Sequence, residues 1–139
     1  MHRLGTAVLA ALIGTALLTA TAPAAQAAEP STFLATHNSY SGNVDGAKGP
    51  IAGQLNRGVR FIELDVHDNG YATAHDYGIG HSSPGDLVDH AGNPASNNLR
   101  DWLALVNTWS TAHPTAAPIM VMLDLKDDLT DNATWNATR

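Results

Sequence analysis

At 139 residues, with no cysteine and thirteen acidic side chains against seven basic ones, the chain can bury one modest core and carries a net charge of −6. That balance argues against nucleic acid or an anionic membrane surface as an electrostatically steered partner. The lack of cysteine removes disulfide, zinc-thiolate and thiol chemistry, so any metal must be held by oxygen or imidazole.

In chain order, His2 and Arg3 followed by the apolar stretch from Ala7 to Leu18 read as a secretory signal, with a small-x-small cleavage site at Ala25-Gln26-Ala27. The expected organisation is a signal peptide over 1–27 and a secreted domain over 28–139 with no membrane span; an uncleaved anchor is the alternative. A first strand is expected at Phe33-Leu34-Ala35, running into the polar Thr36-His37-Asn38-Ser39-Tyr40. A Gly- and Asp-rich loop from Ser41 to Pro50 leads to a short helix from Ile51 to Asn56, stopped by Gly58. The next strand covers Arg60 to Val66. Asp68-Asn69-Gly70 is a tight-turn signal, and Tyr71 to His75 reads as a further strand. Asp76 to Pro94 has no clear period and is expected to be a long loop.

The clearest helical signal starts at Asn97 or Asn98 as N-cap and runs to about His113, with Leu99, Trp102, Leu103, Val106 and Trp109 at helical spacing and Pro114 behind it. Ile119 to Leu125 is a continuous apolar run of the kind found in a sheet covered on both faces. This alternation of strands and helices predicts an α/β domain with parallel pairing. Two Asn-x-Thr sequons, at Asn132 and Asn136, are a frequent chance pattern and carry no weight.

Glu63 and Asp65 lie two apart on the Arg60–Val66 strand and therefore on one face. Taken alone the segment allows two readings: a half-exposed strand with both acids in water, or a buried acidic pair that needs a cation, a shared proton or solvent. The surrounding strand ends favour the second. Ligand sites in parallel α/β folds sit beyond the carboxyl ends of the strands, where His37, Asn38, Glu63, Asp65, His75 and Asp124 are all expected. One amide oxygen and three carboxylates suit calcium, and two imidazoles can move protons on opposite sides of a phosphorus centre. A phosphodiesterase is the chemistry these groups suit as a set.

Four ordered segments, Thr36-His37-Asn38-Ser39-Tyr40, Gly58-Val59-Arg60-Phe61-Ile62-Glu63-Leu64-Asp65, Ala74-His75 and Pro118-Ile119-Met120-Val121-Met122-Leu123-Asp124, resemble the catalytic X region of phosphoinositide-specific phospholipases C, most closely the calcium-dependent secreted bacterial form. The resemblance spans about Phe33 to Asp127. It implies His37 as the imidazole at the attacking side, His75 as the general acid for the departing diacylglycerol, and Asn38, Glu63, Asp65 and Asp124 as Ca2+ ligands. Metal-independent relatives carry arginine where Asp65 stands, so the carboxylate implies the calcium branch; at position 124 the family often has the longer Glu. The implied substrate is a phosphoinositide at a lipid surface, cleaved to diacylglycerol and a cyclic inositol phosphate.

His75 is preferred to His81 as the second imidazole because it would close the Tyr71–Ala74 strand. His67 shares the parity of the acids but has no role in the family, and His90 and His113 read as surface residues. Lys126 is open between a phosphate contact and a solvent-facing side chain. The nearest competing family is the glycerophosphodiester phosphodiesterases, which have a Glu-x-Asp strand and a His-Asp pair that His75-Asp76 would match but begin with His-Arg-Gly. The implied fold is a (β/α) barrel of TIM type, normally of about 250 residues. The expectation here is therefore a partial TIM-type barrel, its amino-terminal half with about four strands. A truncated or inactive calcium-binding remnant is the reading from a different class.

Overall fold

The computed structural model describes residues 32–129. The expected signal peptide, its cleavage site and both sequons lie outside the described residues. Among those described, no helix is long and apolar enough to cross a membrane.

The described residues form a mixed α/β arrangement with a four-stranded mixed sheet and three α-helices. β1 (Leu34–Thr36) is followed by a 3-10 turn (Ser39–Ser41), α1 (Ile51–Asn56), β2 (Val59–His67), α2 (Tyr71–Ala74), β3 (Gly78–Ile79), α3 (Leu99–Ala112) and β4 (Met120–Leu125). β2 organises the sheet. β4 runs parallel to it from Phe61↔Met120 to Val66↔Leu125, while β1 pairs parallel with its first half and β3 antiparallel with Val66 and His67. Because a strand has two edges, β4 takes one and β1 and β3 share the other.

Period-two alternation then sorts β2 into two faces. Ile62, Leu64 and Val66 point to the helices and join the core with Ile51 and Leu55 of α1 and with Leu99, Trp102, Val106 and Trp109 of α3. Those four α3 residues recur at intervals of three and four, one face of a 3.6-residue helix. Leu103, expected on that stripe, faces outward instead. Trp109 joins three elements: its indole N–H donates to Asn56 Oδ1 at 2.7 Å and its ring lies 4.9 Å beneath the Arg60 guanidinium.

Three expectations change. Tyr71–Ala74 is a helical turn, not a strand: Asn69 and Gly70 both take left-handed φ, and the Gly70 carbonyl accepts from the amides of Thr73 and Ala74. The third strand is instead Gly78–Ile79, and it is antiparallel. β4 is not covered on both faces, since Met120, Met122, Leu123 and Leu125 are each more than 40% exposed. Among the described residues it pairs only with β2, so its far edge has no strand partner.

Candidate functional site

The chain leaves β1 at Thr36 and turns sharply at Asn38, whose φ of 46° and ψ of 55° lie in the left-handed region that asparagine tolerates better than most residues. This turn lays the next residues against the middle of β2. The Asn38 amide donates to Glu63 Oε2 at 3.0 Å, and the Glu63 amide donates back to Ser39 Oγ at 2.9 Å. Tyr40 is fully buried and its hydroxyl donates to Asp65 Oδ2 at 3.0 Å. Burial and, after it, the adjacent Asp65 carboxylate push the phenol well above its ordinary range, so Tyr40 stays a donor. Gln54 reaches from α1 to the Ser39 carbonyl at 2.8 Å, tying the turn to the helix layer.

A second clamp holds the far side of the turn. Asp89 accepts from the Asn43 amide at 2.7 Å and the Ala91 amide at 2.9 Å, and its own amide donates to the Tyr40 carbonyl. Those amides, the Asn43 one foremost, hold its carboxyl below the usual carboxylate range. Gly42, at φ 50°, lies against this carboxylate so closely that a Cβ there would collide with it.

On the face of β2 away from the helices, Glu63 and Asp65 are joined by Asp124, which the β4 register sets directly beside Asp65. One carboxylate oxygen from each of the three lies within 4.8 Å of the others. Asp65 is 1% exposed and Glu63 9%, so charges this close require compensation. Lys126 supplies one counter-charge: its ammonium donates to Asp124 Oδ2 at 2.6 Å and lies 3.2 Å from Asp65 Oδ2. Hydrogen bonding to Asp124, ahead of Asp65, pushes its pKa up. Among the described residues three buried side-chain acceptors remain without a donor, and two of them, Asp65 Oδ1 and Asn38 Oδ1, belong to residues of this region. The three carboxylates form a group of oxygen ligands that could hold a metal ion.

The imidazoles divide. His37 stands at the rim, its side chain 79% exposed and Nε2 3.6 Å from Glu63 Oε2. His75 ends α2 with a left-handed φ of 53° and an exposed ring edge-on to Tyr71; none of its contacts reaches Glu63, Asp65 or Asp124. With Tyr71–Ala74 helical, the reason for preferring it over His81 falls away. His81 directly follows Gly80, whose amide donates to the Asp65 carbonyl at 3.3 Å, and its Nδ1 lies near Ser82 Oγ and Asp86.

Two further residues prove to be fixed by the fold, Lys126 within the acidic cluster and His67 next to it on β2. His67 is 5% exposed, with Nδ1 3.2 Å from Asp127 Oδ2 and Nε2 2.9 Å from the Gly80 carbonyl, so it ties β2 to the segments after β3 and β4. Its parity with Glu63 and Asp65 was the signal. Lys126 had the same signal through its parity with Asp124. Two apolar pockets, of about 490 and 230 Å³, are lined by none of the cage carboxylates. Comparison of the chain with protein-family models, curated proteins and solved structures gave no match.

Proposed function

We propose that the chain is a secreted, calcium-dependent phospholipase C-like phosphodiesterase that cleaves phosphatidylinositol at a lipid surface, built as a partial TIM-type barrel. The observation that carries this reading is the cluster of Glu63, buried Asp65 and half-exposed Asp124, with the donorless buried oxygens Asp65 Oδ1 and Asn38 Oδ1 and the accessible His37 imidazole 3.6 Å from Glu63. The barrel reading is supported by the parallel order of β1, β2 and β4, with α1 and α3 packed on one face and the acids on the other.

Glu63, Asp65, Asp124 and the Asn38 amide oxygen would hold Ca2+. Bound there, the ion would offset negative charge developing on the phosphoryl oxygens. The chain's own groups handle the protons. His37, beside the Glu63 carboxylate, accepts the proton of the inositol 2-hydroxyl as that oxygen bonds to phosphorus. The phosphorus–oxygen bond to diacylglycerol breaks, and a second imidazole, His75 or His81, protonates the departing oxygen. The cyclic inositol phosphate is the other product.

The test is hydrolysis of phosphatidylinositol in mixed micelles by the purified chain, with Ca2+ and with chelator. Activity should need Ca2+ and fall by about 10²-fold or more in His37→Ala. Comparing His75→Ala with His81→Ala assigns the second proton. Turnover of glycerophosphoinositol in preference to the lipid would transfer the reading to glycerophosphodiesters, and a chain that neither binds Ca2+ nor turns over either substrate would sink it.

A further inference from the structure

Lys126 occupies a position that a cation in the cage would contest. Its ammonium touches Oδ2 of both Asp65 and Asp124, at 3.2 and 2.6 Å, and these are two of the three carboxylates available to a metal. A calcium ion sits about 2.3–2.6 Å from its ligand oxygens, so one shared by these carboxylates would stand within a few ångströms of a like charge. At that range, in a partly desolvated site, the repulsion is far above thermal energy. The alternatives to Lys126 are few. Tyr40 is neutral and already bonded to Asp65 Oδ2, and the His37 ring contacts Glu63.

The lysine also has somewhere to go. Its side chain is 30% exposed, at the open end of β4, on a flexible four-carbon stem. Asp65 is held independently by Tyr40 and by its backbone in the centre of β2, so departure of the ammonium leaves that carboxylate in place.

We propose that Lys126 is a built-in competitor of the divalent cation: it neutralises the cage in the unloaded protein and swings out when the ion enters. This rests on the calcium reading above and adds its regulation. The unloaded domain is thereby stable without metal, and cation affinity is set by the cost of releasing Lys126.

Calorimetric titration of the full chain with CaCl2 alone, together with thermal melts with and without Ca2+, tests it. Lys126→Met should tighten the Ca2+ dissociation constant by about tenfold or more, whereas Lys126→Arg, which keeps the charge, should stay within about threefold of wild type. Without Ca2+, Lys126→Met should melt below wild type, and saturating Ca2+ should close the gap. If Lys126→Met and Lys126→Gln are unfolded without metal, far-ultraviolet circular dichroism should return to the wild-type spectrum on adding Ca2+; no recovery overturns the proposal. Wild-type binding with no tightening in Lys126→Met overturns the competition alone. Binding by neither chain overturns the calcium reading and the competition with it.

Discussion

β2 is buried on both faces, yet the two faces are held by opposite physics. Ile62, Leu64 and Val66 are at most 1% exposed because two helices cover them, and that burial needs only shape and apolar area. Glu63 and Asp65 are nearly as hidden, but what surrounds them is the Asn38 amide, the Ser39 and Tyr40 hydroxyls, Asp124 and Lys126. The apolar face gains stability from burial. The polar face is burdened by three carboxylates that one lysine compensates in part, an arrangement retained at a cost that a cation would relieve. The apolar core and the acidic cluster thus occupy opposite faces of one strand.

Paired substitutions on adjacent residues separate the two faces most strongly. Leu64→Ala should lower unfolding free energy by about 3 kcal/mol in urea titrations, with Ca2+ affinity unchanged in the folded fraction. Asp65→Asn should do the reverse. Removing one of the clustered charges while keeping an oxygen for Tyr40 should change stability by no more than about 1 kcal/mol, and Ca2+ affinity should drop by about tenfold or more. Equal stability losses at the two positions would mean that the faces are not held differently.

A smaller effect sharpens how the polar face is positioned. Gly42→Ala combines a left-handed φ with a collision against Asp89. It should cost about 2 kcal/mol in the same titration and weaken Ca2+ binding in calorimetry, since the displaced turn holds Asn38 and Tyr40. A change in stability without a change in binding would detach the turn from the site.

Acid gives the smallest and most local separation. The Asn43 and Ala91 amides depress the folded-state pKa of Asp89. Its contribution is therefore present above the unfolded carboxylate value of about 3.9 and is lost as pH falls through the lower folded value. Wild type and Asp89→Asn should accordingly differ in melting temperature at pH 6 and converge as pH drops below the usual carboxylate range. A gap independent of pH would show that the loop is held by shape and not by the carboxylate.

Much of the frame is legible residue by residue. Gly58 after α1, Pro114 after α3 and the spacing of Leu99, Trp102, Val106 and Trp109 mark their elements because caps, breakers and periodicity act within a few positions along the chain. Tyr71–Ala74 misled because a Tyr-Ala-Thr-Ala run after a turn signal is compatible with either a strand or a helical turn. The outcome was decided by the Gly70 carbonyl capturing two amides, with the Tyr71 ring lying 4.8 Å from that of Tyr77. β4 misled for the opposite reason: an apolar run records a preference for cover and does not reveal what covers it.

The sequence by itself determined that Glu63 and Asp65 share a face, that Asp124 lies on another strand of the same sheet and that His37 and Asn38 follow the end of the first. These follow from period-two geometry and strand order. Only the tertiary structure decided that Asp124 stands in register beside Asp65, that Tyr40 and Lys126 take the second oxygen of Asp65, and that Asp65 Oδ1 and Asn38 Oδ1 are left without donors. Registration between strands and competition for a single oxygen depend on contacts between residues far apart in sequence, and no local pattern encodes their distances.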